Sequence, residues 1–312
     1  MDEGLLDKTK DIWDEIKKTI VGKDEIVLRI LMAIFADGHI LIEDIPGVGK
    51  TTMALTFSKV LGLKCNRMQF TPDVMPSDVV GFNVYNREKS CFEYREGAVM
   101  CNLFLADEIN RTSPKTQSAL LQVMEEGSVT VDGMERQLPK PFTVIATQNP
   151  YGSAGTQRLP ESQLDRFMVC LAMGYPSVDE EIEILKSKKE QIKSVQAASA
   201  DELVQIKDYV RNIHVDDEIY RYVAQIAKVS RHSEAIIQGI SPRGSIAIIG
   251  MAKACAFVNG RDYVIPSDVS SVIEDVAAHR IVVKHGINSK RYPAREVIRD
   301  IVKRVDVPRI GR

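Results

Sequence analysis

The run His39-Ile40-Leu41-Ile42, the turn Ile45-Pro46-Gly47-Val48-Gly49-Lys50-Thr51-Thr52 and the segment Met53-Ala54-Leu55-Thr56-Phe57-Ser58-Lys59-Val60 together decide the fold. An apolar strand, a glycine turn and a helix start, in this order, read as a phosphate-binding loop. Glycines let successive backbone N–H groups converge on phosphate oxygens, and the opening helix adds the positive end of its dipole. Lys50 would bring a mobile positive charge to the β and γ phosphates, and the Thr51 hydroxyl would ligate Mg²⁺. The usual spacing Gly-x-x-x-x-Gly-Lys-[Ser/Thr] has glycine where Asp44 stands. Asp is one of the few residues with a side chain that tolerate the left-handed region, so the turn survives the exchange.

Working outward, the apolar run Cys101-Asn102-Leu103-Phe104-Leu105-Ala106 ends in Asp107-Glu108. A buried strand delivering two acids beside a phosphate loop suits metal and water chemistry. Asp107, next to Thr51, would hold the hydrated Mg²⁺, and Glu108 would polarise an attacking water. Without such a loop, two acids would only mark a strand end. Phe142 to Thr147 reads as another buried strand, and Asn149 at its tip could bond both the water and the phosphate. Lys64 to Phe70 and Met168 to Ala172 supply two more strands. Pro114 to Glu126 reads as a helix with proline in its first turn, leading into a hairpin around Asp132-Gly133. Phe82 to Tyr85 and Ser90 to Tyr94 alternate as a second, surface hairpin.

Ahead of the loop, apolar residues at helical spacing predict one helix ending near Val21-Gly22 and another from Lys23 to Ala36, a leader expected to pack on the nucleotide domain. Past a short helix over 159–167, Gly174-Tyr175-Pro176-Ser177 breaks the pattern, dividing the chain into 1–174 and 175–312. Beyond that break no strand is read. Helices are expected over 180–194, 203–212, 217–232, 243–258, 267–284 with Ser267 as cap, and 294–305, with 195–200 as a linker.

A chain of 312 residues with 44% hydrophobic content can bury one large core and a smaller one. Its formal charge of −2, with both signs interspersed, leaves no electrostatic footprint for nucleic acid or an anionic membrane. The acidic Met1-Asp2-Glu3-Gly4 lacks the features of a signal peptide. The longest apolar stretch, Ile246 to Val258, is shorter than a bilayer span and is interrupted by Lys253. Five scattered cysteines without paired spacing read as reduced thiols. A cytoplasmic protein with no direct membrane insertion is expected.

Five ordered motifs carry a family resemblance. They are Pro46-Gly47-Val48-Gly49-Lys50-Thr51, Leu105-Ala106-Asp107-Glu108-Ile109-Asn110-Arg111, Ala146-Thr147-Gln148-Asn149-Pro150, Leu164-Asp165-Arg166-Phe167 and Ser241-Pro242-Arg243. Together they resemble a MoxR-type AAA+ ATPase, from Val21 to about Val269. The resemblance implies an α/β P-loop core with a parallel five-stranded sheet between helices, followed by a smaller all-α lid domain. It also implies a homo-oligomeric ring, usually hexameric, with ATP lying between neighbours. Val21, Gly22, Pro46, Gly47, Val48, Gly49, Lys50, Thr51 and Thr52 would bind the nucleotide, and Thr51 and Asp107 the Mg²⁺. Glu108 matches the catalytic acid, Asn149 the first sensor, Arg166 the finger that reaches the neighbour's γ phosphate, and Arg243 the second sensor on the lid. Two guanidinium groups on separately moving bodies would make hydrolysis depend on assembly and lid closure. Gln157-Arg158 departs from the aromatic residue and proline of many relatives, so partner or substrate contacts are expected to differ there more than catalysis. Such proteins often act as chaperones in metal insertion or complex maturation, with a separate von Willebrand factor A domain protein and a protein client. No Asp-x-Ser-x-Ser motif appears in this chain, which puts any such domain on another chain.

Two other uses of the same loop stay open at this level. A small-molecule kinase would need an acceptor pocket and no water-polarising Glu108. A nucleotide-switched binding module would barely hydrolyse. A DNA-remodelling relative of RuvB would share the core, but the acidic balance speaks against it.

Overall fold

The computed structural model describes residues 2–20, 22–43, 49–149, 159–175, 177–179, 181–182, 194–284 and 294–309. Two leader helices, α1 (Glu3–Lys17) and α2 (Asp24–Phe35), precede β1 (Ile40–Glu43) and α3 (Lys50–Val60). The core continues with β2 (Cys65–Gln69), α4 (Pro76–Val80), the ribbon β3 (Gly81–Asn86) and β4 (Cys91–Glu96), then β5 (Leu103–Asp107) and α5 (Pro114–Glu126). A second ribbon, β6 (Ser128–Val131) and β7 (Met134–Gln137), leads to β8 (Thr143–Gln148), α6 (Glu161–Leu164) and β9 (Val169–Leu171). The remainder holds α7 (Ala200–Arg211), α8 (Asp217–His232), β10 (Ile236–Gln238), α9 (Pro242–Val258), α10 (Pro266–Ala277), β11 (Val282–Val283) and α11 (Ala294–Lys303).

Five strands pair in parallel in the order β2-β5-β8-β1-β9. Alternate side chains divide the core between the two faces, as a pleated strand requires. Ile40, Ile42, Leu103, Leu105 and Ile145 bury toward α1, α2, α3 and the carboxy-terminal helices. Leu41, Phe104, Ala106, Val144 and Ala146 bury toward α5. Because all five strands run the same way, Glu43, Asp107 and Gln148 end on one edge. Strand order reverses at β1, where such sheets open a crevice beyond the carboxyl ends.

Four expectations are adjusted by the structure. The leader packs on both parts of the chain: α1 lies against α3 and α9, and α2 against α7 and α9. Arg29 on α2 reaches Asp275 at 3.3 Å, and Lys207 on α7 reaches Asp37 at 2.9 Å, so charge pairs reinforce that bridge. Residues 195–200 are not a loose linker, since Ala197 and Ala198 both donate to the Val60 carbonyl and the buried Ser194 hydroxyl donates to the Glu15 carbonyl. Ser267 is not a cap. The helix begins at Pro266, the Asp268 carboxylate accepts the Ile265 N–H at 2.9 Å, and a 3₁₀ turn over Ala278–Arg280 ends it early. Strand structure also continues past residue 174, in the antiparallel ribbon β10–β11, whose strands of three and two residues are too short to print a period of two. The helix expected over 180–194 falls mostly outside the described residues.

Candidate functional site

At the carboxyl edge of the sheet, Gly49 caps α3 with φ +87°. A side chain there would be strained, and among the described residues nothing lies within 4 Å of where its Cβ would stand. Lys50, Thr51 and Thr52 form the first turn of that 11-residue helix. Gly22 turns between the leader helices at φ +76°. Val21, Pro46, Gly47 and Val48 lie outside the described residues.

Asp107 and Glu108 emerge on the same edge, and a residue that carried no assigned role ties them together. The fully buried Thr147, near the tip of β8, donates to Asp107 Oδ1 at 2.6 Å and accepts the Glu108 N–H at 2.9 Å. Arg67 Nη2 pairs with the other oxygen, Asp107 Oδ2, at 2.8 Å. Glu108 itself sits in the left-handed region at φ +57°, a conformation that costs a residue with a side chain on the order of 1 kcal/mol and turns the chain away from the strand direction. Its Oε2 accepts from Arg111 Nη1 at 2.8 Å and Gln69 Nε2 at 3.4 Å. Asn110 Nδ2 donates to the Asn149 carbonyl at 3.3 Å, which fixes Asn149 beside the acids. Gly49's left-handed turn, a helix amino terminus and hard oxygen donors from Thr51 and Asp107 suit a nucleoside triphosphate with Mg²⁺.

Arg166 and Arg243 are together, but at the opposite edge. They line a cavity of about 250 Å³ with Asp37, His39, Glu125 and Arg280. Glu125 receives both: Arg166 Nη1 lies 3.2 Å from Oε2, and Arg243 Nη2 bonds Oε1. Arg166 Nε has no hydrogen-bond partner among the described residues. His39, which precedes β1, fixes the place of this cavity, because its Nδ1 accepts the Val144 N–H at 3.0 Å and its Nε2–H donates to the Met124 carbonyl at 3.0 Å. Burial pushes its pKa down to about 4, so the ring is neutral at pH 7. Helix α5 runs from the acids' edge to this one, and its 13 residues span roughly 20 Å at 1.5 Å per residue. Arg166 and Arg243 therefore stand about one sheet-depth from the Glu108 of their own chain.

Sequence reasoning gave no role to Thr147, Arg67, Gln69, Arg111, Glu125 or Arg280. Thr147, the last hydroxyl in an apolar strand, carried a readable signal. Glu125 stands in a charged Glu125-Glu126 pair that reads like any solvated helix end, so only the fold reveals it.

The ATPase family associated with various cellular activities (AAA) matches residues 39–169, and the AAA lid domain matches 228–301. The chain is 46% identical over 298 residues to the uncharacterized protein YeaC of Bacillus subtilis, covering 95% of this chain and 93% of that one. It is 39% identical over 307 residues to Chaperone MoxR1 of Mycobacterium tuberculosis, covering 95% and 81%. A crystal structure of a protein from Cytophaga hutchinsonii superposes with a TM-score of 0.91 at 34% identity over 98% of this chain and 96% of its own. A P-loop edge bearing paired acids, a helical lid and near full-length kinship with these proteins lead to one assignment: the chain belongs to the MoxR family of AAA+ ATPases.

Proposed function

We propose that this protein hydrolyses ATP at sites shared between copies of itself and uses the cycle to remodel partner proteins. The observation that carries the reading is the separation of the two half-sites. The acids and Lys50 occupy the carboxyl edge, whereas Arg166 and Arg243 occupy the amino edge, a helix length away. A partly exposed guanidinium pair at an edge, held among the described residues by one carboxylate, suits the phosphates of an adjoining copy. Head-to-tail repetition of that contact closes into a ring, and six copies is the family's usual number.

In this site Lys50 and the backbone at the start of α3 would hold the phosphates, and Thr51 with Asp107 would hold Mg²⁺. The ion would neutralise phosphate charge and orient the triphosphate. The Glu108 carboxylate accepts a hydrogen bond from the attacking water, and Asn149 aligns that water. Arg111 and Gln69 restrain Glu108, and Arg67 neutralises Asp107. Arg67 and Arg111 are partly exposed, so these pairs exchange at little cost.

A small-molecule kinase would need an acceptor pocket and no water-polarising acid, so the presence of Glu108 on the same edge as Asp107 supports hydrolysis over that reading. Kinship with Chaperone MoxR1 supports a protein client, and the ribbon β3–β4, which exposes Phe82, Tyr85 and Phe92, offers it an apolar surface. A separate von Willebrand factor A domain protein and a cytoplasmic setting complete the reading. No helix among the described residues is long and apolar enough to cross a membrane.

Steady-state turnover and nucleotide affinity test the mechanism together. Glu108→Gln is expected to retain ATP while turnover falls by about a hundredfold or more, the scale of losing a positioned acid or base. Arg166→Ala is expected to bind nucleotide as tightly as the parent and to lose turnover by about a thousandfold, as for an arginine finger. Normal turnover by Arg166→Ala as an isolated monomer would overturn the shared site.

A further inference from the structure

The Arg166 segment is fastened to the lid by one side chain that the mechanism above does not use. Arg280 ends the 3₁₀ turn after α10 and is 3% exposed. All five of its N–H donors are engaged. Nε donates to Asp165 Oδ1 at 2.8 Å, and Nη2 donates to the carbonyls of Asp165 at 3.2 Å and Phe167 at 2.5 Å. Nη1 donates to the Met168 carbonyl at 3.0 Å and to the Val276 carbonyl. Four of those five bonds therefore grip the backbone or side chain of residues 165–168, on both sides of Arg166.

The carboxylate that receives Arg280 also holds the second arginine's helix. Ser241 Oγ donates to Asp165 at 2.9 and 3.0 Å and accepts the Gly244 N–H at 2.9 Å, capping α9 two residues before Arg243. The packing is close on that side as well, since a Cβ on Gly244 would stand 3.0 Å from Arg280 Cδ. Arg280 is thus a single buried fork joining the Arg166 loop, the α9 cap and the lid, and no other charged residue could bond four acceptors of one loop in this plane.

Resting on the shared-site reading, we propose that Arg280 is a positioning residue, which through Asp165 and Ser241 sets Arg166 and Arg243 in one register so that both reach a neighbour's phosphates together. A lysine keeps the charge but offers three donors from a single point, so Arg280→Lys separates the fork from the charge.

The test mixes full-length variants and reads turnover, nucleotide affinity and amide exchange. Arg280→Lys alone is expected to bind ATP as the parent does, to lose turnover by tenfold or more, and to lose amide protection over 165–168 and the first turn of α9, but not over α3. Its own acids and phosphate loop are intact, so adding Glu108→Gln, which contributes intact arginines, is expected to restore turnover. The mixture of Arg166→Ala with Glu108→Gln runs beside it. Restoration of the Arg166 mixture without restoration of the Arg280 mixture overturns the positioning role alone. Failure of both overturns the shared site and this inference with it. Parent-like turnover by Arg280→Lys also overturns the positioning role. Should Arg280→Lys not fold, Ser241→Ala carries the test: it removes only the hydroxyl between Asp165 and α9, and is expected to lower turnover severalfold with unchanged ATP affinity, whereas parent-like turnover contradicts the proposal.

Discussion

Two residues carry opposite lessons about charge. Thr147 is buried and bonds both Asp107 and the Glu108 backbone, so replacing its hydroxyl by methyl leaves a partly buried carboxylate oxygen and a backbone N–H without that partner. Thr147→Val is expected to destabilise the fold by about 1–3 kcal/mol, measurable by denaturant unfolding, and to lower turnover more than tenfold. Equal stability and turnover would remove Thr147 from the site. Glu125 is the reverse case, because it and its two arginine partners are partly exposed, and such pairs are worth about 0–1 kcal/mol. A carboxylate that occupies both guanidinium groups competes with a neighbour's phosphate. Glu125→Gln should therefore lower the protein concentration giving half-maximal turnover by roughly two- to fivefold, the equivalent of that energy. A higher concentration requirement would mean that Glu125 helps the arginines rather than competing for them.

At the scale of elements, α5 links the two half-sites, and its ends are fixed by different chemistry. Ser113 caps the start, and His39 binds the Met124 carbonyl near the end. Because the folded His39 pKa of about 4 lies below its ordinary 6.5, the ring contributes stability above pH 6.5 that is lost as pH falls toward 4. Thermal unfolding between pH 7 and 4 should show a steeper loss for the parent than for His39→Gln, whose amide does not titrate. Parallel pH profiles would contradict the assignment. The sheet was legible because its strands are continuous apolar runs, and the acids, Asn149 and the helix start after Gly49 were legible because each sits where a run ends. The place of Arg166 and Arg243 was not. Leu164-Asp165-Arg166-Phe167 and Ser241-Pro242-Arg243 are ordinary polar turns in sequence, and only the direction of β9 and the docking of α9 put them on one cavity. The helix start escaped for a related reason: Ser267 is a good cap residue in sequence, but it stands inside the first turn, where Asp268 at the third helical position accepts the Ile265 N–H. Ribbon β10–β11 was too short to be seen.

At the scale of the whole molecule, the proposed half-sites lie at the two ends of one parallel sheet. One hydrophobic cluster runs from Ile12 on α1 through the sheet to Ile298 on α11, so the leader, core and lid share a single interior. The leader's place between them means that lid movement must work against α2 as well as against the core, through the Arg29–Asp275 and Lys207–Asp37 pairs. On the proposed shared-site reading, the acids of an isolated chain meet Arg67 and Arg111 of that chain but not the Arg166–Arg243 pair, which needs a neighbour's phosphates. Turnover per chain is therefore expected to rise steeply with protein concentration and then level off as copies assemble. The most direct measurement is turnover in a one-to-one mixture of Glu108→Gln and Arg166→Ala chains, each inactive alone. In a head-to-tail ring about one site in four then combines an intact Glu108 with a neighbour's intact Arg166, so the account predicts activity of about a quarter of the parent's. A mixture as inactive as its components would contradict it.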